Sequence, residues 1–515
     1  MSASVAEWII ADGLGGYAMG TRDGIRTRRY HGLLLVASPG TEQRFMLVNG
    51  VEAWLDTPTG SIALNSHRYV PGTVHPDGAT HITRYFDVGA AWDLSWADGD
   101  VRHSIAGVYG NAATVLRWRV GGNAPATLRV RLQMSGRDWH ALHHENPVFR
   151  SEPTVGEAVW RFQPYNAVPP VMVHASARYR HAPLWFRQLQ YDEERARGQD
   201  FIEDLCSPGE FTFEVTPDQR EAVMVLTTSE DWGGLKPEGD VVQAAATASV
   251  PDVTVGPWSR VADTFVATRG ERRTIIAGYP WFTDWGRDTF ISVRGLCITL
   301  GRLADAEAIL SSWCEHLSQG MMPNLFPSGA GAPEYNSVDA SLWFIVAVHD
   351  LAKAVAGGGV PQVPLKFVKA CEEILTHYSR GTRHNIRVDS DGLLAAGAAG
   401  IALTWMDAIV DGRPVTPRIG KPVEVQALWI NALEFASSWN TRWRAAAARA
   451  RDSFAKRFWN EARGCLYDVV DVDHVAGAAD DRVRPNQVFA IGGLPVAVVD
   501  GARAESIFAV LQGEL

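Results

Sequence analysis

The stretch Tyr279–Ser292, YPWFTDWGRDTFIS, is where the chain changes its period. Before it, apolar residues alternate every second position in short runs. Such runs are RFMLVNGVEAWL (44–55), HITRYFDV (81–88), AWDLSWA (91–97), ATVLRWRV (113–120), ATLRVRLQM (126–134) and EAVMVLTTS (221–229). Gly, Asp, Asn and Pro turns separate them, which predicts a large antiparallel β-sandwich over residues 1–230. A Gly-, Pro- and Ala-rich segment, 231–270, reads as a linker with one or two helices. From Asp288 onward apolar residues recur at i, i+3, i+4 and i+7, in segments such as 288–301, 304–317, 339–355, 364–379, 421–439, 440–459 and 502–512. Residues 271–515 therefore read as a helical domain whose aromatics and carboxylates lie on Gly/Pro loops at one rim.

Composition narrows the partners. The 515 residues carry 48 basic and 58 acidic side chains, a net charge of −10 without long like-charge blocks, which argues against a nucleic-acid or anionic-membrane partner. No apolar run reaches the ~20 residues of a membrane-spanning helix and the N-terminus lacks a signal-like core, so a cytoplasmic location is expected. Five scattered cysteines without C-x-x-C spacing suggest free thiols, neither a disulfide framework nor a metal site. Nineteen tryptophans favour carbohydrate, because aromatic rings stack on the apolar face of a sugar. In YPWFTDWGRDTFIS itself, Trp285 offers such a face while the adjacent Arg287 and Asp288 can grip neighbouring hydroxyls.

Six segments in order resemble the bacterial and archaeal glycogen debranching enzymes, in particular the amylo-α-1,6-glucosidase module. They are EWIIADGLGGYAMGTRDGIRTRRYHGLLL (7–35), WGRD (285–288), PNLFPSGAGAPEYNSVDASLWF (323–344), LTWMDA (403–408), TPRIGKPVEVQALWINAL (416–433) and RPNQ (484–487). WGRD is also similar to the glucose-anchoring W-x-R-D of glucoamylases. The resemblance implies a β-supersandwich followed by an (α/α)6 toroid, acting on glycogen or another branched α-glucan and requiring no cofactor. Six helical hairpins need twelve helices, whereas periodicity supplies about eight or nine before Leu515, so a C-terminally truncated, open toroid is expected. Oligomeric state is not legible.

Inverting hydrolysis of a glycosidic bond needs a protonated carboxyl at the leaving oxygen and an ionised one behind a water, ~6.5–9.5 Å apart. Asp407, behind Thr404, Trp405 and Met406, is the candidate acid, because an apolar wall raises a carboxyl pKa by desolvation. The resemblance places the general acid there too, and places the base in a segment with no counterpart here. Glu334 and Glu424 are read as substrate or supporting residues, with a base role open to either. Trp285, Arg287 and Asp288 would hold the terminal glucose. Asn336, Asp339 and Trp343 share one helical face beside it, although Trp343 also fits a core position. Trp405 and Trp429 are placed on the aglycone side, and Asn486 and Gln487 as substrate or scaffold. The N-terminal GLGGYAMGT lacks the lysine of a phosphate loop and reads as a β-hairpin, with Arg28, Arg29, Tyr30 and His31 structural or at a domain interface. Residues 197–205, RGQDFIEDL, read as a contact between domains.

Overall fold

The computed structural model describes residues 6–38, 43–87, 89–156, 159–229, 256–326 and 332–515. The chain divides into two compact units, Met1–Glu271 and Arg272–Leu515. Most of the expected linker, 230–255, lies outside the described residues; helix Pro257–Phe265 follows it.

The first unit is a two-sheet antiparallel sandwich. Its larger sheet runs β1 (Glu7–Ala11), β2 (Tyr17–Thr21), β3 (Gly32–Ala37), β4 (Arg44–Thr57), β12 (Ala126–Asp138), β17 (Ile202–Val215), β16 (Arg178–Gln190), β6 (His67–Tyr69) and β7 (Thr73–His75), with β5 (Gly60–Ala63) on β4. The smaller runs β13 (Thr154–Gly156), β14 (Val159–Phe162), β15 (Val171–Ala175), β18 (Glu221–Thr227), β11 (Ala113–Val120), β10 (Gly99–Gly107), β9 (Ala90–Trp96) and β8 (Ile82–Phe86). Period-2 alternation builds it: in β10, Val101, His103 and Ile105 point inward while Asp100 and Arg102 face water. The two inner faces share one core, in which Trp118 of the smaller sheet meets Phe213 of the larger at 6.5 Å between ring centroids.

GLGGYAMGT is the turn and second strand of the β1–β2 hairpin, Ala11 opposite Tyr17. Asp12 Oδ1 accepts the backbone N–H of Leu14 and of Gly16, at 2.7 and 2.9 Å. A Cβ on Gly16 would lie 2.4 Å from both Asp12 Oδ2 and the Leu35 carbonyl oxygen, so this tight turn requires glycine. Arg28 and His31 both pair with Glu7, at 2.7 and 2.9 Å, and Arg29 donates to the carbonyls of His140 and Asp200. Segment 197–205 leads into β17, whose buried Glu203 accepts from Arg137 inside the sandwich.

The second unit is helical, so the observed class is antiparallel β-sandwich followed by helices. Counting from the short α1 (Asp192–Ala196) and α2 (Pro257–Phe265) of the first unit, its helices are α3 (Gly286–Val293), α4 (Leu303–Cys314), α5 (Ala340–Ala356), α6 (Leu365–Arg380), α7 (Val423–Ala436), α8 (Arg442–Arg457), α9 (Val488–Ile491) and α10 (Gly501–Glu514). A π-turn, Arg294–Thr299, extends α3. Helices α5 and α7 are apolar nearly all round and buried along most of their length, which makes them the centre against which α3, α4, α6, α8 and α9 pack. The described residues of this unit hold eight α-helices, against the twelve of a complete (α/α)6 toroid. No described helix is long and apolar enough to cross a membrane. All five cysteines are free thiols, four of them buried.

Candidate active site

Backbone bridges bring the first two site segments into register. Trp285 pairs with Leu325, and Leu325 with Glu334, in an antiparallel ladder, and the Gly286 N–H donates to the Asn324 carbonyl at 2.9 Å. A Cβ on Gly286 would sit 2.2 Å from the Pro323 carbonyl oxygen, so glycine in WGRD permits this close approach. Helix α3 starts at that point, which sets Arg287 and Asp288 in its first turn.

Arg287 is the hub of the first cluster. Its Nε donates to Asp339 Oδ2 at 2.8 Å, Nη2 to Ser337 Oγ at 3.3 Å and Nη1 to Asp407 Oδ2 at 3.3 Å. Ser337 Oγ in turn donates to Asp339 Oδ1 at 2.6 Å. Three segments distant in sequence thus meet on one guanidinium. Desolvation would discharge it, but Asp339 first and then Asp407 and Asp288 outweigh that and hold its pKa above the usual arginine range. Burial pushes the Asp288 carboxyl up against the opposing pull of Arg287.

The second cluster centres on Arg418. All three residues of its core are buried: Nη1 and Nη2 grip Glu424, the latter at 2.7 Å, while Nε and Nη2 each reach Asp468 at 2.9 Å. Arg484 also pairs with Asp468. Asp468 Oδ1 accepts from Asn486 Nδ2 at 2.7 Å, and Asn486 Oδ1 accepts the Trp405 indole N–H at 2.7 Å. The loop Leu403–Ala408 is therefore held at Trp405 by one cluster and at Asp407 by the other.

Exposure separates the expected site residues. Trp285, Asp288, Glu334, Asn336, Trp405 and Asp407 reach the surface, and Asn336 Nδ2 donates to Glu334 Oε2 at 3.3 Å. Four others do not. Trp429, 1 % exposed, donates its indole N–H to the Gly392 carbonyl at 3.2 Å, and Trp343 packs edge-on to Phe489, so both are core rather than sugar platforms. Asp339 and Glu424 are buried and held by Arg287 and Arg418, which they orient. The apolar wall expected at Asp407 is also absent: its side chain is 40 % exposed and Trp405, 46 % exposed, turns toward Asn486.

Residues 260–515 match the family described as amylo-alpha-1,6-glucosidase, and residues 6–221 that described as glycogen debranching enzyme N terminal. The chain is similar to the glycogen debranching enzyme of Saccharomyces cerevisiae, with 29 % identity over 234 residues, a match spanning 34 % of this chain and 15 % of the yeast enzyme's length. Among solved structures, a bacterial glucoamylase complexed with acarbose aligns with a TM-score of 0.56 and 9 % identity, over 100 % of this chain and 80 % of that one, and shares its fold.

Proposed function

The chain belongs to the glycogen debranching enzyme family, and on that premise we propose that it hydrolyses the single α-1,6-linked glucose at a branch of glycogen or limit dextrin, with Asp407 as the acid. The observation that carries this reading is the contact of Asp407 with Arg287, which ties the loop of the candidate acid to WGRD. Asp339, Glu424 and Asp468 are buried as well as held by an arginine, so the site carboxylates that reach the surface to face a sugar are Asp288, Glu334 and Asp407. Trp285 stacks on the terminal ring while Asp288 and the outer edge of Arg287 take its hydroxyls, which makes cleavage exo.

The Asp407 side chain is 40 % exposed, and its assigned role is to protonate the departing glycosidic oxygen of a ring lying over Trp285. An inverting displacement also needs a second carboxylate across the ring. The test is glucose release from limit dextrin. Asp407→Asn is expected to lower it by about 10²–10⁴-fold while retaining glucan binding. Full activity in that variant rejects the assignment. Binding without release by the unaltered chain points instead to a glycan-binding protein, and release from maltose in preference to branched dextrin to an α-1,4 exo-glucosidase.

A further inference from the structure

Within the first unit the two sheets part around a cavity of about 80 Å³, room for about five to eight waters at 10–15 Å³ each. Its walls come from both sheets, and the exposed Asp23 and Gly24 mark its mouth. Two tryptophans, Trp8 and Trp92, stand edge-to-face at 5.8 Å in its wall, Trp92 with one face stacked on His103. Glycines let the lining side chains close in: a Cβ on Gly20 would fall 2.8 Å from the Trp8 ring, and one on Gly50 would fall 1.7 Å from Arg26 Nη1.

The polar groups lining it have assignable roles. Arg26 donates from Nη1 to the Asn49 carbonyl at 2.8 Å and from Nη2 to Gln133 Oε1 at 2.7 Å, and its Nε has no acceptor among the described residues. Because Arg26 fixes the Gln133 oxygen, the amide nitrogen faces His67 Nε2 at 3.0 Å; that nitrogen accepts, and the proton of the neutral ring sits on Nδ1. His103 is the converse. Its Nδ1 faces the Arg117 carbonyl at 3.2 Å and must donate, which leaves Nε2 a bare acceptor. Burial lowers the pKa of both rings, that of His103 to about 4, so both are neutral. Among the described residues the cavity thus offers indole rings, one histidine donor, one histidine acceptor, the Asp23 carboxylate at its mouth and one guanidinium that pairs with no carboxylate. A phosphate would need several cationic donors and meets one. Apolar ring surface beside neutral donors and acceptors matches the chemistry of a sugar ring.

We propose that this cavity binds one neutral hexose ring, presented as the terminal glucosyl unit of an α-glucan, at a site separate from Asp407. Hydrogen exchange on the full chain tests it locally, with maltose as the probe and inorganic phosphate as the control. At ten times its dissociation constant, maltose is expected to slow amide exchange about tenfold in peptides covering 22–25, 64–67 and 77–81. The same slowing is expected in Asp407→Asn, which keeps this reading separable from the catalytic one. Arg26→Met should abolish the protection without lowering glucose release. Ala79→Trp, at a half-exposed lining position, should do the same by filling the cavity and remains readable if Arg26→Met unfolds. The proposal is overturned by an absence of slowing with maltose, by slowing with phosphate alone, or by protection that survives in both variants.

Discussion

Replacing Arg418 with methionine is expected to destabilise the helical unit by about 3 kcal/mol at neutral pH, because it strands a buried carboxylate. The guanidinium lies between Glu424 and Asp468, and all three side chains are almost completely withdrawn from water. Breaking such a buried pair costs about 3–5 kcal/mol. Asp468 would keep Arg484 and Asn486, so Glu424 alone is left uncompensated and the cost falls toward the lower end. Even that is a large part of the ~5–15 kcal/mol that holds a domain folded. The loss should depend on pH. Burial already pushes the Glu424 carboxyl above its usual 4.5 against the pull of Arg418, and removing Arg418 raises it further. A carboxyl raised in the folded state stabilises below its unfolded pKa and loses that contribution as pH rises through the folded value. The deficit should therefore be smallest in mild acid and largest above neutrality. Urea unfolding followed by far-ultraviolet circular dichroism at both pH values measures it. Adding Glu424→Gln to the Arg418→Met protein should recover part of the loss. A cost under about 1 kcal/mol above neutrality, or a double variant no more stable than the single, would refute the reasoning.

Other perturbations separate site from scaffold. Trp285→Ala should raise KM for limit dextrin about tenfold by removing the stacking face, whereas Trp429→Phe should leave KM unchanged and cost about 1 kcal/mol for the lost hydrogen bond to Gly392. Steady-state kinetics and denaturation together distinguish the two. In the β1–β2 turn, burial raises Asp12 from 3.8 to about 6, so its contribution is present at low pH and lost as pH rises through about 6. Asp12→Asn, whose amide oxygen can still accept the Leu14 and Gly16 N–H groups, should be more stable than the parent above neutrality by up to about 3 kcal/mol, with the gap closing near pH 4. Parallel urea titrations at the two pH values check the sign.

What the chain determines by itself is local. The alternation of Val101, His103 and Ile105 with Asp100 and Arg102 specifies a half-buried strand without reference to any neighbour, since successive side chains must leave opposite faces. The 3.6-residue recurrence after Asp288 specifies helices in the same way, and the turn at Asp12–Gly16 follows from which residues accept its backbone. Side-chain identity at WGRD and LTWMDA was enough to nominate Arg287 and Asp407, which the fold does bring within 3.3 Å.

Depth was decided only by tertiary packing. Trp285 and Trp429 are the same residue type in equally suggestive segments, yet one borders the site and the other is sealed in α7, because α7 is buried along most of its length. Asp339 and Glu424 look like sugar ligands until Arg287 and Arg418, remote or across a loop, occupy their oxygens. Asp468 carried no periodic or motif signal at all. Its importance lies in the convergence of Arg418, Arg484 and Asn486, and a charge removed from water acquires its role from whichever opposite charge the fold places beside it.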